Sequence, residues 1–278
     1  MAADFGPLVP ADWLAEHLDE VQVVDVRWYL DRRSGWDAYC EGHIPGAVWL
    51  DVDTDLSAPA SPQAGRHPLP TEAAFAAALA RKGIVEGRPV VAYDDAGGSV
   101  AARLWWLLHA IGEPAAVLDG GLAAWTDRHG ELDTEVPIPV PAERAPRPWP
   151  SDRFVSADDL AASRAAVFDA RSAERYAHGE DTIDPRPGHV PGARSAPWTG
   201  NLDAQSRFLE PDALRERFAD AAGGAIAYCG SGVTACHDLL AMTLAGYTEL
   251  ALYPGSWSQW GADESRPTEA GTDSAPPR

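Results

Sequence analysis

The chain has 278 residues, enough for one large domain or two of ordinary size, and its 45% hydrophobic content is enough to build a core. The formal net charge is −20, which disfavours nucleic acid and anionic membranes as partners. The same surface repels small anions at long range, so an anionic substrate would need local cations to hold it.

The start, "MAADFGPLVPADWL", lacks a basic region followed by an apolar one. No apolar run approaches the roughly 18–20 residues of a membrane helix. The expectation is a soluble, cytoplasmic protein. An odd, low cysteine count (Cys40, Cys229 and Cys236) argues against a disulfide framework. Without a C-x-x-C pair no structural zinc site is expected.

In chain order, "VQVVDVRWYL" at 21–30 predicts a buried strand ending in Asp-x-Arg, and "GHIPGA" follows at 42–47. "PVVAY" is strand-like, and "SVAARLWWLLHAIG" has apolar residues at helical spacing up to Gly112, where a C-cap belongs. "AVLDGGLAAW" closes this series at 116–125. Then six prolines fall between 137 and 150, which neither a helix nor a central strand accepts. Residues 136–153 therefore predict an extended, stiff linker, with the boundary near 145.

After it the plan repeats. "AAVFDARSAERY" at 165–176, "GHVPGA" at 188–193, "AIAYCGSGVTACHDLLAMTLAGY" at 225–247 and "LALYPGSWSQW" at 250–260 match the earlier blocks in the same order. The predicted organisation is two copies of one domain, at 1–135 and 154–264, with a disordered tail at 265–278. Alternating strands and helices predict an α/β class, with a mostly parallel sheet flanked by helices in each copy.

The chemistry points to "CGSGVTA". A strand over 225–228 and a helix over roughly 233–245 put Cys229 at the carboxyl end of a strand, the edge where open α/β sheets bind ligands. Gly230 and Gly232 let successive N–H groups converge, and with the positive end of the helix they stabilise an anion at the sulfur. The thiolate is the nucleophile. A buried structural cysteine is the commoner fate of such a residue. The first copy supplies a control, because it has Asp94 where the second has Cys229, so the scaffold does not require cysteine there. Cys236 reads as a small core residue, with redox pairing to Cys229 as the alternative. Cys40 has no partner motif.

Tandem copies with D-x-R, G-H-[IV]-P-G-A and a late C-x-x-G-V-T-A loop resemble the two-domain rhodanese family of sulfurtransferases, from about residue 8 to 260. The resemblance implies tandem rhodanese-like domains, a catalytically silent first copy, and a persulfide on Cys229. Gly-Ser after the cysteine is similar to members that take 3-mercaptopyruvate. Members that prefer thiosulfate usually carry basic residues at those two places. It further implies a Ser–His–Asp set of Ser231, His67 in "GRHPLP" and Asp53 in "DVD", with the His and Asp supplied by the first domain. Arg175 and Arg186 would bind the donor's carboxylate and keto oxygen, and Gly230, Gly232, Val233 and Thr234 would line the donor. No metal or organic cofactor is implied. The sulfur would pass to an acceptor such as a thiol, thioredoxin or cyanide.

Some residues have blander readings. Arg27 and Arg171, and likewise His43 and His189, recur in both copies and so are expected to be scaffold. Trp257 reads equally as a pocket wall or as core. A phosphatase or arsenate reductase would need an Arg about six residues after the cysteine, where this chain has Ala235. Thiosulfate as the donor, and a persulfide carrier or redox sensor without turnover, are the remaining alternatives.

Overall fold

The computed structural model describes residues 6–177 and 183–272. It divides into two compact units. The first is Met1–Ala58, Pro70–Trp149 and Ala204–Phe208; the second is Pro59–Leu69, Pro150–Asp203 and Leu209–Arg278.

The first unit has a five-stranded sheet made of β1 (Leu8–Val9), β2 (Gln22–Asp25), β3 (Val48–Trp49), β4 (Val90–Tyr93) and β5 (Ala115–Leu118), in the order β1-β5-β4-β2-β3. Every pairing is parallel. A parallel sheet is covered on both faces, which is why β4 reads as the uninterrupted apolar run "VVAY" and is buried throughout. The flanking helices are α1 (Ala11–Glu16), α2 (Gly35–Glu41), α3 (Glu72–Arg81), α4 (Ala101–Ala110) and α5 (Gly121–Arg128). Ser34 and Thr71 cap α2 and α3 by accepting from Asp37 N and Ala74 N. Trp105 and Trp106 of α4 are fully buried, and burying each large side chain contributes about 1.5–3 kcal/mol. Past α4 the chain turns at Gly112, whose φ of 74° suits glycine.

The second unit repeats this with β6 (Ala166–Asp169), β7 (Arg194–Ser195), β8 (Ala225–Tyr228) and β9 (Leu250–Leu252), in the order β7-β6-β8-β9, again all parallel. Its helices are α6 (Ala157–Ala162), α7 (Ala173–Ala177), α8 (Pro211–Arg217), α9 (Ala235–Leu244) and α10 (Ser256–Trp260). The counterpart of β1 has shrunk to a single parallel bridge from Phe154 to Leu252.

The duplication reaches the level of single bonds. Arg27 and Arg171 grip Asp25 and Asp169 through Nε and Nη2, and each Nη2 also donates to the carbonyl of the glycine in its G-H-x-P-G-A motif, Gly42 at 2.7 Å and Gly188 at 2.8 Å. His43 stacks on Tyr39 and His189 on Tyr176, and each Nδ1 hydrogen-bonds the carbonyl of the tyrosine it covers. Burial lowers the pKa of His189. These pairs tie a strand end to the loop beside it, the scaffold role expected of residues present in both copies.

Residues 136–149 contain no helix or strand. The stretch expected to be a tail is docked over part of its length. Glu269 forms an antiparallel bridge with His189, as Asp133 does with His43, and Trp260 Nε1 donates to Pro267 O at 2.9 Å. These bonds belong to the repeat itself, which extends beyond 264. Positions 273–278 of that stretch lie outside the described residues, as do 1–5 and 178–182.

Candidate active site

Strand β8 ends at Tyr228, and Cys229 follows at the carboxyl edge of the sheet, buried. The loop from 229 to 234 then leads into α9. Gly232 makes the turn possible. Its φ is 81°, and a Cβ there would lie 2.6 Å from the carbonyl oxygen of Pro254. This bend aims the Ser231 and Gly232 N–H groups at Cys229 Sγ, 3.4 and 3.1 Å away. Both N–H groups thus point at the sulfur as hydrogen-bond donors. The loop is braced from below, because Cys229 N donates to Ser256 Oγ at 3.1 Å and Trp257 N to Cys229 O at 2.9 Å. Val233 is buried within the loop, and Thr234 occupies the N-cap position of α9.

Ser231 Oγ lies 2.8 Å from His67 Nδ1, and both residues are buried. His67 was expected from the first domain, but the segment Pro59–Leu69 belongs to the second compact unit. Its backbone explains why. Arg66 N donates to Ser258 Oγ at 3.0 Å, and Gly65, at φ 91°, sits so close to Gly255 that a Cβ would be 2.5 Å from its carbonyl oxygen. Asp53 belongs to the first unit, where its Oδ2 accepts from Trp28 Nε1 at 3.0 Å.

The two arginines singled out in the sequence part company. Arg175 Nη2 donates to Asp184 Oδ2 at 2.6 Å, and the same atom would be 3.0 Å from a Cβ on Gly230. It therefore overhangs the loop beside Cys229. Arg186 turns to backbone carbonyls, with Nη2 donating to Trp260 O, Asp263 O and Arg266 O at 3.4, 3.0 and 2.7 Å. It clamps the turn after α10. The sequence missed two residues here, Arg66 and Asp184. The Asp184 side chain is fully buried and accepts from Arg66 Nη1, Arg171 Nη1 and Arg175 Nη2.

The equivalent loop of the first unit is built differently. The buried Asp94 carboxylate takes four backbone N–H bonds of 2.8 Å, from Ala96, Gly98, Val100 and Ala101. The anion cradle is thus filled by its own side chain. Cys40, Cys229 and Cys236 stand outside any disulfide, and Cys236 Sγ donates to Gly232 O at 3.4 Å. Trp257 is core: it is fully buried, stacks under Arg171 at 4.8 Å and donates from Nε1 to Arg186 O at 2.9 Å.

A model of the rhodanese-like domain matches residues 10–128 and 156–263. The chain belongs to the rhodanese family. A protein of Pseudomonas aeruginosa assigned as a 3-mercaptopyruvate sulfurtransferase is 42% identical over 278 residues, covering 95% of this chain and 98% of that one. A Mycobacterium tuberculosis protein assigned as a thiosulfate sulfurtransferase, SseB, is 37% identical over 263 residues, covering 91% and 92%. Among solved structures, the 3-mercaptopyruvate sulfurtransferase SseA of Escherichia coli superposes with a TM-score of 0.80 at 32% identity, covering 91% of this chain and 99% of that one.

Among the described residues, no group of three or more His, Cys, Asp or Glu could hold a metal ion, and no helix is long and apolar enough to cross a membrane. One buried polar cluster of the second unit also escaped the sequence. Asn201 Nδ2 lies 2.7 Å from Asp238 Oδ1 and 3.0 Å from His237 Nδ1, while Arg217 Nε donates to Asn201 Oδ1 at 2.8 Å. Burial pushes the Asp238 carboxyl up to about 8. "ACHDLLAMTL" reads as an apolar helix, and only the fold reveals what His237 and Asp238 face.

Proposed function

We propose that the protein transfers sulfur from 3-mercaptopyruvate, through a persulfide on Cys229, to a thiol, thioredoxin or cyanide acceptor, and that it works in the cytoplasm. The observation that carries this reading is the 2.8 Å pair of His67 Nδ1 and Ser231 Oγ, two residues along the loop from Cys229. The thiolate attacks the donor's sulfur, forming the S–S bond and breaking the C–S bond. The C–S electrons leave on carbon as the enolate of pyruvate. That carbanion equivalent needs a proton, and Ser231 can pass one that His67 replaces. The acceptor then attacks the outer sulfur and restores the thiolate. Arg175 would hold the donor's carboxylate beside Gly230, and the N–H groups of Ser231 and Gly232 would steady charge at sulfur. Asp53 enters this reading on its place in the sequence, as the carboxylate assigned to orient His67.

Thiosulfate is the second reading, and the name given to the Mycobacterium tuberculosis relative favours it. Against it stands a loop without a basic residue at 230 or 231. The deciding experiment is steady-state turnover with each donor, using cyanide as acceptor and Cys229→Ser as control. A large preference for 3-mercaptopyruvate, abolished in the control, supports the proposal. Equal or faster turnover of thiosulfate overturns it. Silence with both donors points to a carrier or sensor.

A further inference from the structure

We propose that Arg66, carried on the Pro59–Leu69 segment, is the second carboxylate-binding cation of the donor site, paired with Arg175. This deepens the mercaptopyruvate reading and rests on it. The geometry is specific. A Cβ on Gly230 would lie 2.6 Å from Arg66 Nη2 and 3.0 Å from Arg175 Nη2, so two guanidinium nitrogens from distant segments converge on one small volume beside Cys229. A planar carboxylate has two oxygens to offer such a pair.

Arg66 is aimed, not loose. Its backbone N–H is held by Ser258 Oγ at 3.0 Å, and its Nη1 donates to Ile183 O at 2.9 Å and Asp184 Oδ1 at 3.2 Å. Those bonds leave Nη2 as the end that faces Gly230. The Asp184 carboxylate is fully buried, whereas the side chains of Arg66 and Arg175 are 29% and 21% exposed. A ligand can therefore reach the guanidiniums while their anchor stays out of solvent. Arg171, the third partner of Asp184, is engaged with Asp169, Gly188 O and the Trp257 ring. Arg186 donates to three carbonyls of the 260–266 turn. Arg66 fills the place that sequence matching gave to Arg186. The segment that brings the imidazole to Ser231 thus brings a cation with it, one residue earlier. A protein of net charge −20 needs such a local pair to hold an anionic donor.

The test uses Arg66→Met and Arg66→Lys in the full chain, with Arg164→Met as the control. Arg164 is exposed and precedes β6, at the edge of the sheet opposite Cys229. Two readouts are taken: turnover of 3-mercaptopyruvate, and binding of pyruvate to each variant in a Cys229→Ser background. Losing one charged hydrogen-bonding partner predicts a roughly 10- to 100-fold rise in KM for Arg66→Met, with kcat within a few-fold, and a matching loss of pyruvate affinity. Arg66→Lys should fall between, and Arg164→Met should match the parent. Unchanged KM and unchanged pyruvate binding in Arg66→Met would overturn the assignment, as would a fall in kcat alone. If the parent does not turn over 3-mercaptopyruvate but binds pyruvate through Arg66, the donor reading fails and the cation site stands. If the parent turns it over and Arg66→Met binds pyruvate equally well, the reverse holds.

Discussion

His67 Nδ1 and Ser231 Oγ lie 2.8 Å apart, both buried, although the two residues stand far apart in the chain. A hydroxyl so placed can relay a proton only to a reaction that needs one. Cleaving a C–S bond leaves a basic carbon; cleaving thiosulfate releases sulfite, which needs no protonation at carbon. Ser231→Ala and His67→Asn should therefore lower kcat for 3-mercaptopyruvate by about 10²–10⁴-fold, while thiosulfate turnover in the same preparations changes only a few-fold. Parallel donor kinetics checks this, and an equal loss with both donors would show that the pair supports the loop instead.

The silent loop of the first unit makes a stability prediction. Asp94 satisfies four buried N–H groups at once. Removing the carboxylate leaves those donors without a partner in a site water does not reach. Asp94→Ala should cost on the order of 3–5 kcal/mol, read as a shift in denaturant midpoint. A cost under about 1 kcal/mol would mean the loop refolds around the loss.

Much of this was legible from residues alone. Asp25/Asp169, Arg27/Arg171 and the two G-H-x-P-G-A motifs revealed the duplication because each serves a bond made in both units. Cys229 stood out because its twin is Asp94. Ser231 and His67 were named through family resemblance. The arginines were harder to place. Arg186 and Arg66 carry the same side chain, and what separates them is which carbonyls and which carboxylate lie nearby, a matter of tertiary geometry. Asp184 lacked any signal, since an acidic residue in "DTIDPRPG" reads as a turn. The docked stretch around Glu269 was hidden for a similar reason: its Pro, Gly and Ser content suggests disorder, and what holds it are tertiary bonds such as the bridge to His189, Gly192 N to Glu269 Oε2 and Trp260 Nε1 to Pro267 O.

Gly230 offers a test of the crowded face above the loop. A methyl group there meets the ends of two arginine side chains, not backbone. Gly230→Ala should fold with a stability change within about 1 kcal/mol, because guanidinium tips can swing aside. Swinging them aside spoils the converging pair, so KM for 3-mercaptopyruvate should rise about 10-fold or more. Thermal melts and donor kinetics on one preparation separate the two effects. An unchanged KM would show that the arginines do not need their observed positions.

The buried carboxyl of Asp238 gives a pH dependence whose sign is fixed. Burial raises its pKa from 3.8 to about 8, outweighing the hydrogen bond from Asn201 and the charge of Arg217. Between those two values the folded protein holds a proton that the unfolded chain has released. Stability linked to this group is fully present below about pH 4 and is lost as the pH rises through about 8. Asp238→Asn keeps the shape, keeps an oxygen for Asn201 Nδ2 and cannot ionise. Its stability relative to the parent should climb steadily from pH 4 to pH 8, by an amount on the order of several kcal/mol. Denaturant midpoints measured on both proteins across that range check the slope. A flat difference would mean that Asp238 titrates in the fold as it does in the unfolded chain, and that Arg217 and Asn201 hold it ionised after all.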